Sequence, residues 1–328
     1  KATSEPHSKR VLLIYDICHY SLLAQHIRMA LLGKTGAGKS SLGQMILGEP
    51  VFKIDDSANS GTSKCQKETR QVGGGSITVI DTPGFFDNRR SDDKLKSEMI
   101  DSLIECSDGL DAFLILLKVE KFTEHENEVV SRITGYFSEE AFKHAVVVFT
   151  HGDQLPDNMK IEDFVGGNER LCGLLEKCGK RCHVVDNKYW KNNQQDEYRN
   201  NKVQVAKLLE SVKQIAASRG RYTNETLRAV KKAIQQEEER IRTSKKGMSP
   251  EFITQQAKSK VSDHLKRAAV ITVGVLGGGL LASGVDAGVG AAVGAAVGGY
   301  VGYQEADKAD SVGEAVKNTA KAVINQNH

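Results

Sequence analysis

The sequence lacks the cysteine spacing of a structural metal site. Its six cysteines form no paired Cys-x-x-Cys elements, the pattern that zinc sites commonly use, so we expect no zinc. Scattered free thiols are typical of a reducing compartment. A secretory signal is also missing, because the apolar run 11–24 is interrupted by Asp16 and His19. These absences predict a cytoplasmic protein.

An excess of charge of one sign is absent as well. Lysine and arginine number 45 against 42 aspartates and glutamates, a formal net charge of +3. This balance is too mild for a nucleic-acid-binding surface, and no platform of aromatic and basic side chains is present. We therefore expect no nucleic-acid partner. The 328 residues suffice for one domain of about 200 residues with extensions.

A phosphate-binding loop is the strongest positive signal. Residues 33–40 fit the pattern G-x-x-x-x-G-K-[ST], between an apolar strand predicted at 27–32 and a helix predicted at 39–47. Glycines let successive backbone N–H groups point at phosphates, Lys39 can reach the β- and γ-oxygens, and Ser40 can ligate Mg²⁺. The predicted nucleotide-binding residues here are Gly33, Lys34, Thr35, Gly36, Ala37, Gly38, Lys39, Ser40 and Ser41.

A second motif follows the strand predicted at 76–81. This strand ends in Asp81-Thr82-Pro83-Gly84. A carboxylate at the end of a strand beside the phosphate loop can hold Mg²⁺ through water. The backbone N–H of Gly84 can meet a γ-phosphate and so couple the triphosphate to loop order.

A third motif, after the strand predicted at 144–149, concerns the base. The strand is followed by Thr150, His151, Gly152 and Asp153. A carboxylate can accept two hydrogen bonds from guanine, the purine that presents a ring N–H beside an exocyclic amine. The common guanine pattern here is Asn-Lys-x-Asp, and this departure from it leaves the base open on the motif alone.

These motifs resemble the AIG1-type (IMAP, immunity-associated) GTPases, relatives of the septins and of chloroplast import GTPases. The resemblance covers roughly residues 27–215. A box between the second and third motifs makes it specific, namely Gly109-Leu110-Asp111-Ala112-Phe113-Leu114-Ile115-Leu116-Leu117-Lys118 followed by Phe122-Thr123. The resemblance implies a domain that binds GTP or GDP with Mg²⁺, because Thr-His-Gly-Asp is a family variant of the guanine-reading motif.

The resemblance implies further site residues and a partner. Thr62 matches the threonine that closes on Mg²⁺, which gives the metal set Ser40, Thr62 and Asp81, and Asn187 matches the family's asparagine near the base. Pairing of two nucleotide domains, in a homodimer or homo-oligomer, is the family's expected route to ordering. Asp101 lies near the place where some members have a proposed catalytic arginine.

A water-positioning side chain is missing after the second motif. Phe85 follows Gly84, and no glutamine is near, although such a residue usually orients the attacking water. Slow turnover by the isolated monomer is the expectation. Arg89 and Arg90 lie just beyond; either they form a solvated basic turn, or they reach a partner's phosphates.

The alternation of elements predicts an α/β fold of the P-loop NTPase type, with three layers and a mostly parallel sheet. Gly73–Gly75 is expected to join an antiparallel second and third strand, and Trp190 to pack locally in a surface loop. Predicted strands are 27–32, 65–71, 76–81, 112–118, 144–149 and 181–185, and predicted helices are 39–47, 92–106, 124–136, 160–177 and 200–217.

A C-terminal helical extension follows the predicted nucleotide domain. Leu227, Val230, Ile234 and Ile241 form an apolar stripe on a charged helix, which either folds back on the nucleotide domain or joins a coiled-coil partner. The predicted organisation is 1–24, an extension of unknown role; 25–220, the guanine-nucleotide-binding domain; 221–267, charged amphipathic helices; 268–303, a Gly/Ala-rich apolar segment; and 304–328, a polar tail.

The Gly/Ala-rich segment 268–303 holds one charged residue, Asp286, and small residues recur in it at every fourth place. Such a face lets membrane helices approach closely. A membrane hairpin turning at Asp286, a single tilted segment and a water-soluble Gly/Ala tail all remain open. Basic residues before the segment favour a cytosolic N-terminal side, which would place the protein on the cytosolic face of an intracellular membrane.

The predicted function is a GTP-binding switch that hydrolyses GTP to GDP and phosphate slowly and pairs through its nucleotide domains. One alternative is a scaffold that binds nucleotide without hydrolysing it. Another is a membrane-perturbing tail that the nucleotide domain gates.

Overall fold

The computed structural model describes residues 26–54, 65–72, 75–84, 92–190, 196–244 and 247–276. Several of the sequence predictions fall elsewhere. Those outside the described residues are the extension 1–24, Thr62, Arg89, Arg90, the segment from 277 to 303 with Asp286, and the tail 304–328.

A six-stranded sheet organises the first of two compact units, to which the described residues up to 84 and those in 109–222 belong. Its strand order is β2-β3-β1-β4-β5-β6, and β2–β3 is the antiparallel pair among otherwise parallel neighbours. The strands are β1 (His26–Gly33), β2 (Gln66–Val72), β3 (Gly75–Asp81), β4 (Ala112–Lys118), β5 (Ala145–Thr150) and β6 (Cys182–Val184).

The burial of the strands follows their place in the sheet. Strands β1, β4 and β5 are buried along almost their whole length, whereas the edge strand β2 alternates between exposed and half-buried residues. Central parallel strands are covered on both faces and therefore need continuous apolar sequence. The mostly parallel sheet and the antiparallel second pair that the sequence predicts are confirmed.

Nine helices of four or more residues occur in the described part of the chain. They are α1 (Lys39–Leu47), α2 (Asp92–Cys106), α3 (Glu124–Phe137), α4 (Glu140–Lys143), α5 (Ile161–Gly166), α6 (Glu169–Lys177), α7 (Asn201–Arg219), α8 (Glu225–Ser244) and α9 (Pro250–Leu276), with a short 3₁₀ turn at Gly152–Gln154.

The single helix predicted at 160–177 is wrong, since two helices occupy this stretch. The first ends at Gly166, and Gly167 follows it. Asn168 then caps the second, its Oδ1 accepting from Leu171 N at 3.1 Å. Two adjacent glycines weaken a helix, and an asparagine N-cap starts a new one.

The second compact unit contains α2, α8 and α9, which pack on one another. The apolar stripe predicted on α8 is buried in the chain, and so are most of the apolar residues of α2. Ion pairs join α2 to α9: Lys258 Nζ lies 2.8 Å from Glu105 Oε2, and Lys266 Nζ lies 2.6 Å from Asp101 Oδ1. The stripe is therefore covered by helices of the same unit.

Helix α9 begins at Pro250 and continues to Leu276, so the first residues of the Gly/Ala-rich segment are helical. Within the residues that the structure describes, none of the helices combines the length and apolar character that crossing a bilayer requires. The domain boundaries given from the sequence stay predictions.

Candidate functional site

The phosphate loop connects β1 to α1 at the carboxyl edge of the sheet. Gly38 has φ 82° at the helix start, and a Cβ added to it would lie 2.5 Å from Asn187 Nδ2. Both facts require glycine. Lys39 is buried, and its Nζ donates to Gly33 O at 3.1 Å and to Lys34 O at 2.9 Å. The ammonium is thus held over the loop where phosphates would enter.

Ser40 and Asp81 meet beneath this loop. Ser40 Oγ donates to Asp81 Oδ2 at 2.5 Å, and Asp81 is fully buried. Burial raises the pKa of Asp81, while Lys39 and the bond from Ser40 oppose that rise. Its other oxygen, Oδ1, has no hydrogen-bond partner among the described residues.

The pairing of Ser40 with Asp81 fits a magnesium ion. Mg²⁺ prefers oxygen ligands and keeps several waters, so one hydroxyl and one carboxylate are a sufficient protein contribution. The buried, unpartnered oxygen of Asp81 would gain a partner in such an ion or its water, and the ion's charge would remove the cost of burying the carboxylate.

The segment after β3 lies directly against the phosphate loop. Thr82 Oγ1 donates to Leu31 O at 2.5 Å and fixes the start of this segment. Gly84 approaches Thr35 so closely that a Cβ at position 84 would overlap the threonine hydroxyl and backbone N. The second motif and the phosphate loop therefore lie against each other with no side chain between them.

Thr150 connects the base segment to the phosphate loop. This fully buried residue donates from Oγ1 to Ala37 O at 3.0 Å. The ring Nδ1 of His151 lies 3.1 Å from the Oγ1 of Thr150. His151 has a left-handed φ of 59°, which turns the chain so that Gly152 N donates to Val185 O at 3.1 Å. The Thr-His-Gly-Asp segment is thus joined to the phosphate loop by a direct hydrogen bond from Thr150.

Asp153 is exposed and lies beside a second carboxylate, that of Asp186. The side chain of Asp186 accepts from Asp153 N at 3.5 Å. The neighbouring carboxylate of Asp186 raises the pKa of Asp153, and burial adds to the rise. The exposed carboxyl remains accessible to a base, and Asn187 lies close by.

Trp190 packs under the base segment, in line with the local packing predicted for it. It is 3% exposed, and a Cβ at Gly152 would lie 2.5 Å from its Cη2. Tyr198 and Arg199 also lie against the indole, with the Trp190 and Tyr198 ring centroids 6.3 Å apart and Arg199 Cζ 5.9 Å from the Trp190 ring. The glycine within Thr-His-Gly-Asp is therefore required by the indole.

Sequence reasoning missed an anchor of the phosphate loop. The ammonium of Lys34 forms an ion pair with the buried carboxylate of Glu126. That carboxylate also accepts from Thr123 N at 2.8 Å and Thr123 Oγ1 at 2.5 Å in the capping box of α3. The signal was present, because Thr123-x-x-Glu126 is the spacing of a capping box.

The structure brings most of the predicted site residues to one edge of the sheet. Direct contacts connect the phosphate loop to the residues Asp81, Gly84, Thr150 and Asn187, and the base segment carries His151 and Asp153. Thr62 lies outside the described residues. The assignment of each residue to a nucleotide contact stays a prediction.

Comparison with curated proteins finds relatives with similar sequences. GTPase IMAP family member 8 of Mus musculus is 32% identical over 187 residues, which cover 57% of this chain and 26% of that protein. Immune-associated nucleotide-binding protein 4 of Arabidopsis thaliana is 34% identical over 165 residues, 49% of this chain and 51% of that protein. The chain thus spans about a quarter to a half of these relatives' lengths.

Solved structures share the fold. Toc33 from Arabidopsis thaliana, in complex with Mg²⁺ and GMPPNP, has a TM-score of 0.51 at 20% identity, over 66% of this chain and 94% of that chain. A further structure, described by the importance of dimerization for the GTPase activity of chloroplast translocon components atToc33 and psToc159, has a TM-score of 0.52 at 20% identity, with the same coverage of both chains. These likenesses confirm the P-loop fold.

The family follows from a longer match. Immune-associated nucleotide-binding protein 7 of Arabidopsis thaliana is 31% identical over 231 residues, 68% of this chain and 70% of that protein. The model of the AIG1 family matches residues 27–245, more than half of the chain, and the chain therefore belongs to the AIG1 family.

Proposed function

We propose that this protein is a guanine-nucleotide switch that binds GTP and GDP with Mg²⁺ and hydrolyses GTP slowly. The contact between Ser40 and Asp81, under the ammonium of Lys39, carries the proposal. Few structures other than a nucleotide site would place a buried carboxylate, a hydroxyl and a lysine at the start of a helix after a glycine-rich loop. The relatives named above as GTPases and nucleotide-binding proteins support it.

Each residue has a defined task in this proposal. Lys39 exchanges its two carbonyl bonds for phosphate oxygens, and the first N–H groups of α1 point at the same phosphates. Ser40, Asp81 and Thr62 hold Mg²⁺, whose charge offsets that of the phosphates when it is bound. Asp153 accepts from the guanine ring, and Asn187 borders the base.

A slow reaction is the expected consequence of Phe85, which follows Gly84 where a water-orienting residue would be useful. The slow hydrolysis of GTP would then set how long the loops around the phosphates stay ordered. The same feature favours a second candidate, a scaffold that binds nucleotide as an assembly cue and does not hydrolyse it.

Pairing and membrane binding complete the proposal. Ordered loops would present a face for the nucleotide domain of a second copy, and the Toc33 description quoted above supports a link between dimerization and activity. The Gly/Ala-rich segment 268–303 would concentrate the protein on the cytosolic face of a membrane and so favour pairing. If the tail instead perturbs bilayers, liposomes will leak with the full chain and stay intact without this segment.

Nucleotide binding by the full chain tests the central claim. Isothermal titration with GDP and Mg²⁺ should show binding that Lys39→Ala abolishes, because the phosphate charge loses its main counter-charge. Lys143→Ala is the matched control, since Lys143 makes an exposed ion pair with Glu140. Equal binding by the Lys39→Ala protein and the control would contradict the proposal.

Single-turnover hydrolysis separates switch from scaffold. We expect GTP to be hydrolysed slowly by dilute protein and faster as the protein concentration rises. No hydrolysis at any concentration, with GTP still bound, would establish the scaffold. Crosslinking of the GTP-loaded protein on bilayers tests pairing, and a monomeric result would refute it.

A further inference from the structure

We propose that Asp186 is a positioning residue of the base site, which holds Asp153 and Asn187 in the arrangement that selects guanine. The inference rests on the proposed guanine-nucleotide function. It concerns a buried carboxylate that neither the phosphate chemistry nor the metal site uses.

Asp186 is fixed from its backbone outward. The residue is 2% exposed. Its backbone N donates to Asn201 Oδ1 at 3.0 Å, and Asn201 Nδ2 donates back to its carbonyl. Asn201, at the start of α7, is itself buried. A carboxylate buried at this cost requires compensating hydrogen bonds.

The carboxylate accepts hydrogen bonds from the turn that contains Asn187. Its Oδ1 accepts from Lys188 N at 2.9 Å and from Tyr189 N. This is the bonding of an Asx-turn, which reverses the chain just after the aspartate. Asn187 lies inside that turn, and its Nδ2 faces Gly38 of the phosphate loop. Asp186 thereby sets the direction of the Asn187 side chain.

The other oxygen of Asp186 holds the Asp153 side of the site. Asp153 N donates to Oδ2 at 3.5 Å, and the Asp186 carboxylate beside it raises the pKa of Asp153. Trp190 supports the same segment from below, against Gly152. One carboxylate thus bridges both peptide segments that would surround a base.

The bridge also shifts the pKa of both carboxyl groups. The bond to Asp186 raises the pKa of Asp153, and the ring of His151 works in the opposite direction. Burial acts to raise the pKa of Asp186, but the bonds from Asp153, Tyr189 N and Lys188 N outweigh it and lower the pKa. The Lys188 ammonium also faces both groups.

A proton on Asp153 would weaken guanine binding, because the ring N–H and the amine of guanine both donate and need an ionised carboxylate as acceptor. Guanine affinity should therefore fall as the pH drops through the raised pKa of Asp153. Removing the charge of Asp186 while keeping an acceptor for the turn at Lys188 and Tyr189 should move that fall to lower pH.

The test is titration of the full chain with Mg²⁺ and either GDP or IDP, which lacks the exocyclic amine, between about pH 5 and pH 8. Asp186→Asn keeps an acceptor for the two N–H groups of the turn. It should bind GDP at neutral pH within about threefold of wild type and keep binding at lower pH. Asp186→Ala loses both the negative charge and the hydrogen-bond acceptors. It should bind GDP at least about tenfold more weakly, with the preference for GDP over IDP reduced.

Asp157→Asn is the control, since that side chain is 99% exposed, and it should reproduce wild type. An unchanged pH profile in Asp186→Asn, or an unchanged GDP preference in Asp186→Ala, would overturn the inference. If Asp186→Ala does not fold, the profile of Asp186→Asn decides alone. Wild type that binds no GDP would refute the proposed function instead, so the two failures are distinct.

Discussion

At the scale of single residues, Thr150 shows how one hydroxyl can connect two motifs. Its hydroxyl spans the distance to Ala37 O because β5 ends directly beside the phosphate loop. Thr150→Val keeps the shape and removes the donor, which leaves a buried carbonyl unpaired. We expect the free energy of unfolding to fall by about 1–3 kcal/mol and nucleotide affinity to fall with it.

Denaturant unfolding and nucleotide titration measure this prediction. Thr150→Ser restores the donor and should recover most of the lost affinity. Wild-type affinity in Thr150→Val would show that the bond to the phosphate loop is dispensable.

Gly152 gives a second prediction, based on the contact with Trp190. In Gly152→Ala the new Cβ would overlap the indole, so the base segment must shift. We expect a loss of stability of about 1–3 kcal/mol, with a changed emission of Trp190, the single tryptophan of the chain. Thermal unfolding followed by tryptophan fluorescence measures both.

Gly173→Ala is the matched control. Gly173 lies in α6, and a Cβ there meets nothing within 4 Å. Alanine should stabilise that helix by about 1 kcal/mol. If both substitutions change stability equally, the proposed overlap with Trp190 is not the cause.

Asp81 gives a third prediction, which sets stability against function. Burial raises its pKa above that of the unfolded chain, so the folded state binds the proton more tightly. The stability from this preference is present below the unfolded pKa and is lost as the pH rises through the folded pKa. At neutral pH the ionised carboxylate therefore destabilises the nucleotide-free protein.

Asp81→Asn should accordingly raise the melting temperature of the nucleotide-free protein at neutral pH, by about 2–4 °C for each kcal/mol recovered. Its Mg²⁺-dependent nucleotide affinity should fall. Calorimetry in the presence of a chelator measures the first effect. A lower melting temperature would show that the charge is compensated in the folded state.

The sequence predicts the residues that carry local patterns, and it misses those defined by a neighbour far along the chain. Lys39, Ser40 and Asp81 lie within recognisable motifs. Asp186 has no motif of its own, because its role depends on Asn201 and on Asp153, 33 residues before it. Such contacts exist only once the sheet has formed.

At the scale of elements, the start of α3 couples helix capping to the phosphate loop. Glu126 belongs to the capping box with Thr123 and also pairs with Lys34. Glutamine also satisfies a capping box, so Glu126→Gln should keep the helix and remove the ion pair. We expect weaker nucleotide affinity with little change in melting temperature.

Thr123→Ala makes the complementary change, and it should reduce stability by about 1 kcal/mol because the cap is lost. Circular dichroism and nucleotide titration of the two variants separate the effects. If Glu126→Gln leaves nucleotide affinity unchanged, the anchor does not act on the loop.

The elements were predictable to the extent that their periodicity was unbroken. All six strands appear near their predicted places. The central strands are apolar runs, whereas the edge strand β2 is polar and alternates between exposed and half-buried residues. The break between α5 and α6 was missed because the apolar spacing continues through Gly166 and Gly167, although the helical backbone is interrupted there.

At the scale of the whole molecule, α2 belongs with helices that lie more than a hundred residues later. Its apolar residues are buried, and ion pairs to Lys258 and Lys266 hold it against α9. The sequence gives the apolar and acidic positions of α2 and cannot tell which helix covers them. It also cannot show that Asp101 forms an ion pair in the second unit.

A truncation measures the importance of this arrangement. A chain that ends at residue 222 lacks α8 and α9 and should expose the apolar side of α2. A chain that ends at residue 276 keeps all three helices. We expect the shorter chain to bind an apolar dye and aggregate, and the longer one to stay monodisperse in sedimentation. Equal behaviour of the two would show that α2 needs no cover.

The second unit is discontinuous along the chain, since α2 enters it from between two strands of the sheet. A cut in the connection at residues 223–224 would therefore not release the C-terminal fragment. Helix α2, on the N-terminal fragment, would still pack against α8 and α9 on the C-terminal one. Proteases could cut the polypeptide there and leave a two-piece protein that comes apart only in denaturant.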